Sequence, residues 1–373
     1  MKINPFKLER FFAKYEFKAQ FMLGSSDCES LSIKEILELE PDSEQNFLKT
    51  YLGYTESEGL PLLREEIAKL YQKVDSPHIF CFAGAQEAIF NFMNTLLNPG
   101  DHIIVQFPAY QSLYEVAYAN NCEVTKWPMI EDNNWELDLD FLETNIKTNT
   151  KAIIVNTPNN PTGAHFSQEH WKKLIEIARS HNLILFSDEV YRFLELDPND
   201  HLTPACDLYE NAISLGVMSK SFGLAGLRIG WIATQNDDLL RYFKEFKDFT
   251  TICNSAPSEI LALIALRNKE KLLKRNLSIV RSNLQLLDEF FLKNKNMFQW
   301  IRPKAGSIGF VRLKNNVNSE DFCIDIVEHT GVLLVPSTLF NFGPSHFRIG
   351  FGRKNLPVVL KHFEQFLEKK KEK

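Results

Sequence analysis

Six short runs rich in Ile, Val, Leu and Phe mark the first two-thirds of the chain: HIFCF (78–82), HIIVQF (102–107), KAIIVN (151–156), LILFSDE (183–189), AISLGV (212–217) and IGWIAT (229–234). Segments with helical spacing lie between several of them, such as AQEAIFNFMNTLL and SQEHWKKLIEIARSH. Runs that are apolar throughout, and separated by helices, predict a mostly parallel sheet covered on both faces. The last step differs. Only about a dozen residues and a Gly-rich turn separate AISLGV from Arg228, too few for a full crossover helix, so one antiparallel strand is expected there. From about residue 256 the pattern becomes one long charged helix, PSEILALIALRNKEKLLKRNLSIVRSNLQLLDEFFLKN. The short strands GFVRL, GVLLVP and FRIGF and a closing helix follow, which suggests a separate, smaller α+β domain.

The chain has 373 residues, 44% hydrophobic and 24% charged, enough for a large core and two domains. A formal net charge of -6 gives no reason to expect nucleic acid. The basic C-terminal KKKEK reads as a solvated helix end, not a binding tail. No apolar run is long enough to span a bilayer, and the N-terminal MKINPFKLERFFAKYEF is too interrupted by charge for a signal peptide. Cys28, Cys81, Cys122, Cys206, Cys253 and Cys323 show no CxxC spacing, which fits reduced thiols in a cytoplasmic protein and no metal site.

Ligands of open α/β sheets sit beyond the carboxyl ends of the strands, so the residues that follow each run carry the chemistry. AGAQEA (83–88) opens a helix, and its exposed N–H groups make an anion site. Tyr110 follows the second run, Asn160 lies in the polar turn TPNNPTG, and Asp188, Glu189 and Tyr191 end the fourth. Each has a plainer reading as a strand–helix turn, a core aromatic, a turn cap or an ion-pair partner. Lys220 closes LGVMSK, with Arg228 eight positions on. An isolated lysine is ordinarily a surface residue. In a dry site or near a cation, its amine becomes a usable nucleophile. An anion-binding turn, an aromatic, an amide, a carboxylate, a lysine and an arginine at the ends of one sheet together describe a pocket for a phosphorylated aromatic aldehyde. Pyridoxal 5'-phosphate (PLP) is such a cofactor.

Over nearly its whole length the sequence resembles the fold-type I, class I/II aminotransferases. SKSFGLAGLRIGW is similar to their lysine signature and implies Lys220 as the residue that links the cofactor covalently, with Arg228 on its phosphate. DEVY implies Asp188 on the pyridine nitrogen and Tyr191 on the ring hydroxyl, and NNPTG implies Asn160 on the same hydroxyl. GAQEA implies the amides of Ala85 and Gln86 on the phosphate, and Tyr110 falls where the family stacks an aromatic on the ring. YTESEGLPLLR resembles the segment whose tyrosine, here Tyr54, reaches the phosphate of a neighbouring subunit, which implies a homodimer with shared sites. FRIGF implies Arg348 as the clamp on the substrate α-carboxylate. The resemblance also implies a large domain with a mostly parallel seven-stranded sheet. The expected division is an N-terminal arm (1–44) reaching the substrate site, the large PLP-binding domain (45–258) and a small α+β domain (259–373).

The sequence departs from the family pattern in places. Val217 stands where Ser or Thr is common, three residues before the lysine, and Ser219 is a substitute hydroxyl. MLGSSDCES puts Ser26 and Cys28 where the arm usually carries Gly and Pro, in a region that touches substrate. DFTTICNS (248–255) has no arginine where dicarboxylate-specific members carry one, which disfavours an aspartate or glutamate specialist. The expected activity is transamination between an L-amino acid and a 2-keto acid, with Lys220, Asp188 and Tyr191 catalytic and Arg348, Ser26 and Asn160 on the substrate. The rival outcome is a PLP-dependent lyase, cyclase or oxidase on the same fold, because the motifs specify the cofactor better than the fate of the carbanion. A PLP-sensing regulator is disfavoured, since no helix-turn-helix is legible before the domain. A nicotinamide dehydrogenase is disfavoured, since no GxGxxG follows a strand.

Overall fold

The computed structural model of the protein describes residues 2–314 and 316–371. Its large sheet is built from β1 (Ile79–Phe82), β2 (His102–Phe107), β3 (Glu123–Ile130), β4 (Glu136–Leu137), β5 (Thr150–Asn156), β6 (Ile184–Asp188), β7 (Ala212–Val217) and β8 (Gly230–Ala233). Their spatial order is β1-β8-β7-β6-β5-β2-β3-β4. The central strands β7, β6, β5, β2 and β3 run parallel. β8 is antiparallel to both neighbours, as the short 218–229 connection requires.

The sheet has eight strands where seven were expected. The addition is the two-residue β4, paired antiparallel to β3 at the edge. Consecutive residues of the central strands feed opposite faces. Ile103 and Val105 pack into one apolar cluster with Phe92 and Phe186, while Ile104 joins Ile153, Val155 and Trp171 in the other. Both faces are therefore buried, which is why these strands read as continuous apolar runs.

A second, antiparallel sheet follows, with β9 (Phe298–Gln299), β10 (Ile308–Leu313), β11 (Val335–Pro336) and β12 (His346–Gly350) in the order β11-β12-β10-β9. The long helix expected after 256 is two helices, Ala256–Arg267 and Lys269–Lys293. The break falls at Asn268, whose side-chain amide donates to the Ile264 carbonyl (2.9 Å) and to Glu40 (3.0 Å).

The N-terminal arm is tied to this second sheet. Gly24 N–H donates to the Leu333 carbonyl at 2.7 Å, and Gly350 N–H donates to the Leu23 carbonyl at 2.6 Å. A Cβ on Gly350 would lie 1.7 Å from the Ser25 carbonyl oxygen, so only glycine lets the arm run this close to β12. The KKKEK segment begins inside the helix Leu356–Lys371, and its last two residues lie outside the described ones. Among the described residues no helix is long and apolar enough to cross a membrane.

Candidate active site

A cavity of about 400 Å³ opens at the carboxyl ends of the large sheet. β2 and β5 are neighbours, but the chain leaves them toward opposite edges, through β3 on one side and β6 on the other. Such a switch point leaves a crevice for a ligand.

The strand ends supply one wall of the cavity with Asn160, Asp188, Tyr191, Ser219, Lys220 and Arg228. Ala85, Gln86 and Tyr110 continue that wall, and Ser26 and Arg348 enter from the arm and β12. Every site residue expected from the sequence is thus brought to one cavity except Tyr54. Tyr54 is 91% exposed and lies outside its own chain's cavity.

Asp188, the last residue of β6, is buried. Its carboxylate accepts the Val190 N–H at 3.3 Å, while Asn156, one strand over, donates to the Asp188 carbonyl at 3.0 Å. Burial pushes the Asp188 carboxyl up to about 7, against the pull of the Val190 N–H and of Lys220. Burial also raises the Tyr191 hydroxyl, against the pull of Arg348 and of Ser26, and no hydrogen bond of good geometry satisfies it.

Lys220 Nζ donates to Ser26 Oγ at 2.8 Å and lies 5.9 Å from the centre of the Tyr191 ring. Burial lowers its proton affinity and Arg348 adds to that, while Asp27, Asp188 and Glu9 oppose it.

At the far wall, Arg348 donates through Nη1 to Asn160 Oδ1 (2.9 Å) and through Nη2 to the Gly24 carbonyl (2.7 Å). Its Nε is buried without a partner. Asn160 is itself held, its N–H donating to Asn156 Oδ1 at 2.6 Å.

The helix Ala85–Thr95 begins at Gly84, where φ is +89° and a Cβ would meet Arg228 Nη2 at 2.5 Å. Glycine therefore lets the guanidinium lie against the open N–H groups of this helix, a cradle suited to phosphate. A buried carboxylate with one long hydrogen bond, an unpartnered tyrosine hydroxyl, a lysine and this cradle fit PLP group by group: ring N–H, ring hydroxyl, aldehyde and phosphate. Ser219 and Val217 both line the cavity.

Sequence reasoning missed several lining residues. Asn156 positions both Asp188 and Asn160. Leu8, Glu9, Phe12 and Glu16 come from the helix Lys7–Tyr15 and the residue after it, and Asp27 and Arg353 form an ion pair with an N–O distance of 2.9 Å. The one local signal was Leu8 and Phe12 at helical spacing.

The family model for aminotransferase class I and II matches residues 18–363. Capreomycidine synthase from Streptomyces vinaceus is 27% identical over 346 residues, 92% of this chain and 88% of that protein. A PLP-dependent aminotransferase structure from Streptococcus suis superposes with a TM-score of 0.93 at 31% identity and covers 99% of both chains. The PLP-dependent cyclase OrfR gives a TM-score of 0.91 at 27% identity over 99% of this chain and 98% of that one. The match spans both sheets and every cavity wall except the helix Lys7–Tyr15 and Glu16, and the residues that fit PLP fall inside it. On that breadth, this chain belongs to the PLP-dependent class I and II aminotransferase family.

Proposed function

We propose that the protein transfers an amino group between an L-amino acid and a 2-keto acid, with Lys220 as the covalent anchor of PLP and the proton carrier. The observation that carries this reading is the convergence of Lys220, Asp188 and Arg348 on one cavity. When bound, PLP supplies an electron-poor ring that takes up the electron pair left at the substrate Cα. Arg348 binds the α-carboxylate through its fork and orients the Cα–H bond. Lys220 would hold PLP as its covalent anchor and, with its amine free, would take and return the proton at the substrate Cα; its lowered proton affinity favours the base form. Asp188 holds the ring N–H, which stabilises negative charge at Cα. Tyr191 and Asn160 hold the ring hydroxyl, and Tyr110 covers the ring. Arg228, Ser219 and the amides of Ala85 and Gln86 hold the phosphate, and Ser26 contacts the substrate side.

The assembly we propose is a homodimer in which the partner subunit's Tyr54 completes the phosphate site. Leu48, Tyr51, Leu52 and Tyr54 are between 76% and 91% exposed, an apolar segment that a second copy would cover. The proposed division is the arm (1–44), the PLP-binding domain (45–258) and the small domain (259–373), and the six free cysteines favour the cytoplasm.

A second reading, a lyase, cyclase or oxidase on the same cofactor, is favoured by one observation: a hydroxyl, Ser26, rests on the catalytic amine. Two of the similar proteins are named a synthase and a cyclase. The test is to load the purified protein with PLP and add L-amino acids without a keto acid. Yellow absorbance that bleaches, returns with a keto acid and releases no ammonia supports transamination. Ammonia release or oxygen consumption supports the second reading. No yellow absorbance after added PLP overturns both.

A further inference from the structure

The two ends of the cavity differ in charge. Lys220 and Arg228 face the cofactor side. Across the substrate side lies the helix Lys7–Tyr15 with Glu16 just beyond it, and positions 8, 9, 12 and 16 fall on one face. Glu9 and Glu16 therefore line the cavity together, about 10 Å apart along the axis at 1.5 Å per residue. Glu9 accepts the Tyr110 hydroxyl at 2.9 Å. Glu16 is half-buried; burial, then the charge of Glu9, raises its carboxyl, and Arg353 opposes the rise. Asp27 is a third carboxylate, but it is already matched, because Arg353 donates through Nη2 to Oδ2 at 2.9 Å and Oδ1 at 3.0 Å.

One buried group on the opposite wall awaits the substrate: Arg348 is 1% exposed with Nε unpartnered. A substrate α-carboxylate on Arg348 would leave Glu9 and Glu16 facing the substrate side chain, with Arg353, already paired to Asp27, as the cation that acts on Glu16. We propose that the substrate is an L-amino acid with an ammonium or guanidinium side chain, selected by Glu9 and Glu16. The inference rests on Arg348 as the α-carboxylate clamp. A distal carboxylate would meet two like charges, and the one nearby arginine that could receive it is held by Asp27.

The test compares L-ornithine with L-norleucine, which matches it in length but is neutral, on the PLP-loaded full-length protein. L-Lysine, L-arginine and L-glutamate complete the panel. One readout is the rate at which each amino acid converts the cofactor absorbance. The other is calorimetric binding of α-methyl-L-ornithine against α-methyl-L-norleucine, which have no α-proton to lose. The expected result is at least a tenfold preference for the cationic member by both readouts, weakening as salt is raised. The preference should shrink in Glu9→Gln and Glu16→Gln singly and approach one in the double variant. A preference for norleucine or glutamate, a ratio preserved in the double variant, or no binding of either α-methyl compound overturns the inference. Ordinary transamination of norleucine without cationic preference sinks this inference and leaves the aminotransferase reading standing. Selective binding of α-methyl-L-ornithine, with ammonia released from ornithine itself, does the reverse.

Discussion

Asp188→Asn should stabilise the PLP-free protein while disabling the enzyme, and the gain should depend on pH. The Asp188 carboxyl is fully enclosed and pushed from its ordinary 3.8 up to about 7. A group whose folded value is raised holds its proton more tightly folded than unfolded, so stability falls as pH rises between the two values. Each tenfold difference in proton affinity is worth about 1.4 kcal/mol, so the ionised carboxylate costs the folded protein about 4 kcal/mol above pH 7. Roughly 2 to 3 kcal/mol of that cost appears between pH 5 and pH 8. Asparagine keeps an oxygen for the Val190 N–H and never ionises. Urea unfolding of PLP-free wild type and variant, at one protein concentration and several pH values, should give curves that diverge by about that amount. The same substitution should lower turnover by about 100-fold or more, because no carboxylate then faces the ring nitrogen. Parallel stability curves would refute the reasoning: Asp188 would then be ionised across the range, stabilised by Lys220 despite its burial.

Other substitutions test separate parts of the site. Lys220→Ala should remove both turnover and the yellow absorbance, and retained activity would discard the central assignment. Ser26→Ala deletes an acceptor of the Lys220 amine, so the acid limb of the kcat–pH profile should move to lower pH. An unmoved limb would mean that this hydrogen bond is absent during turnover. Gly84→Ala forces a side chain onto a residue at φ +89° and against Arg228, so equilibrium dialysis should show PLP affinity falling tenfold or more. Gly350→Ala pushes on the Ser25 carbonyl and should reduce kcat/KM for amino acids while PLP remains bound, and parallel losses of both would place the arm in the cofactor site.

The strands that were legible are those buried on both faces, and the difficulties follow from the same physics. β3 carries Glu123, Thr125 and Lys126 and, with only the two-residue β4 beyond it, is covered unevenly, so it shows no continuous apolar run. β4 is too short to leave any pattern. The break at Asn268 involves neither Gly nor Pro, and the helical periodicity continues across it. Most of the cofactor side was readable because each residue sits in a local motif at a strand end. On the substrate side the sequence pointed only to Arg348, Ser26 and Asn160. Asp27 and Arg353 meet because residues 24–28 are laid against Gly350 and Gly352, and Glu9 is placed by Tyr110 and by the hold of Gln111 on Lys7, long-range contacts that leave no local trace.

Arg348 joins these two histories. One hydrogen bond ties it to Asn160, in the turn that closes β5, and the other ties it to Gly24 in the arm. Of five N–H groups in the fork, two are therefore used by the protein, one on each side of the cavity. The buried Nε has no partner, so an α-carboxylate docking there satisfies a donor whose desolvation is already complete in the folded protein. Because the same guanidinium holds the arm, the arm's position at Lys220 and the proposed hold on the substrate would be mechanically one. A change in Ser25 or Ser26 should therefore register both in how tightly an amino acid binds and in the proton affinity of Lys220. A cofactor-side change such as Gly84→Ala should leave amino-acid selectivity intact.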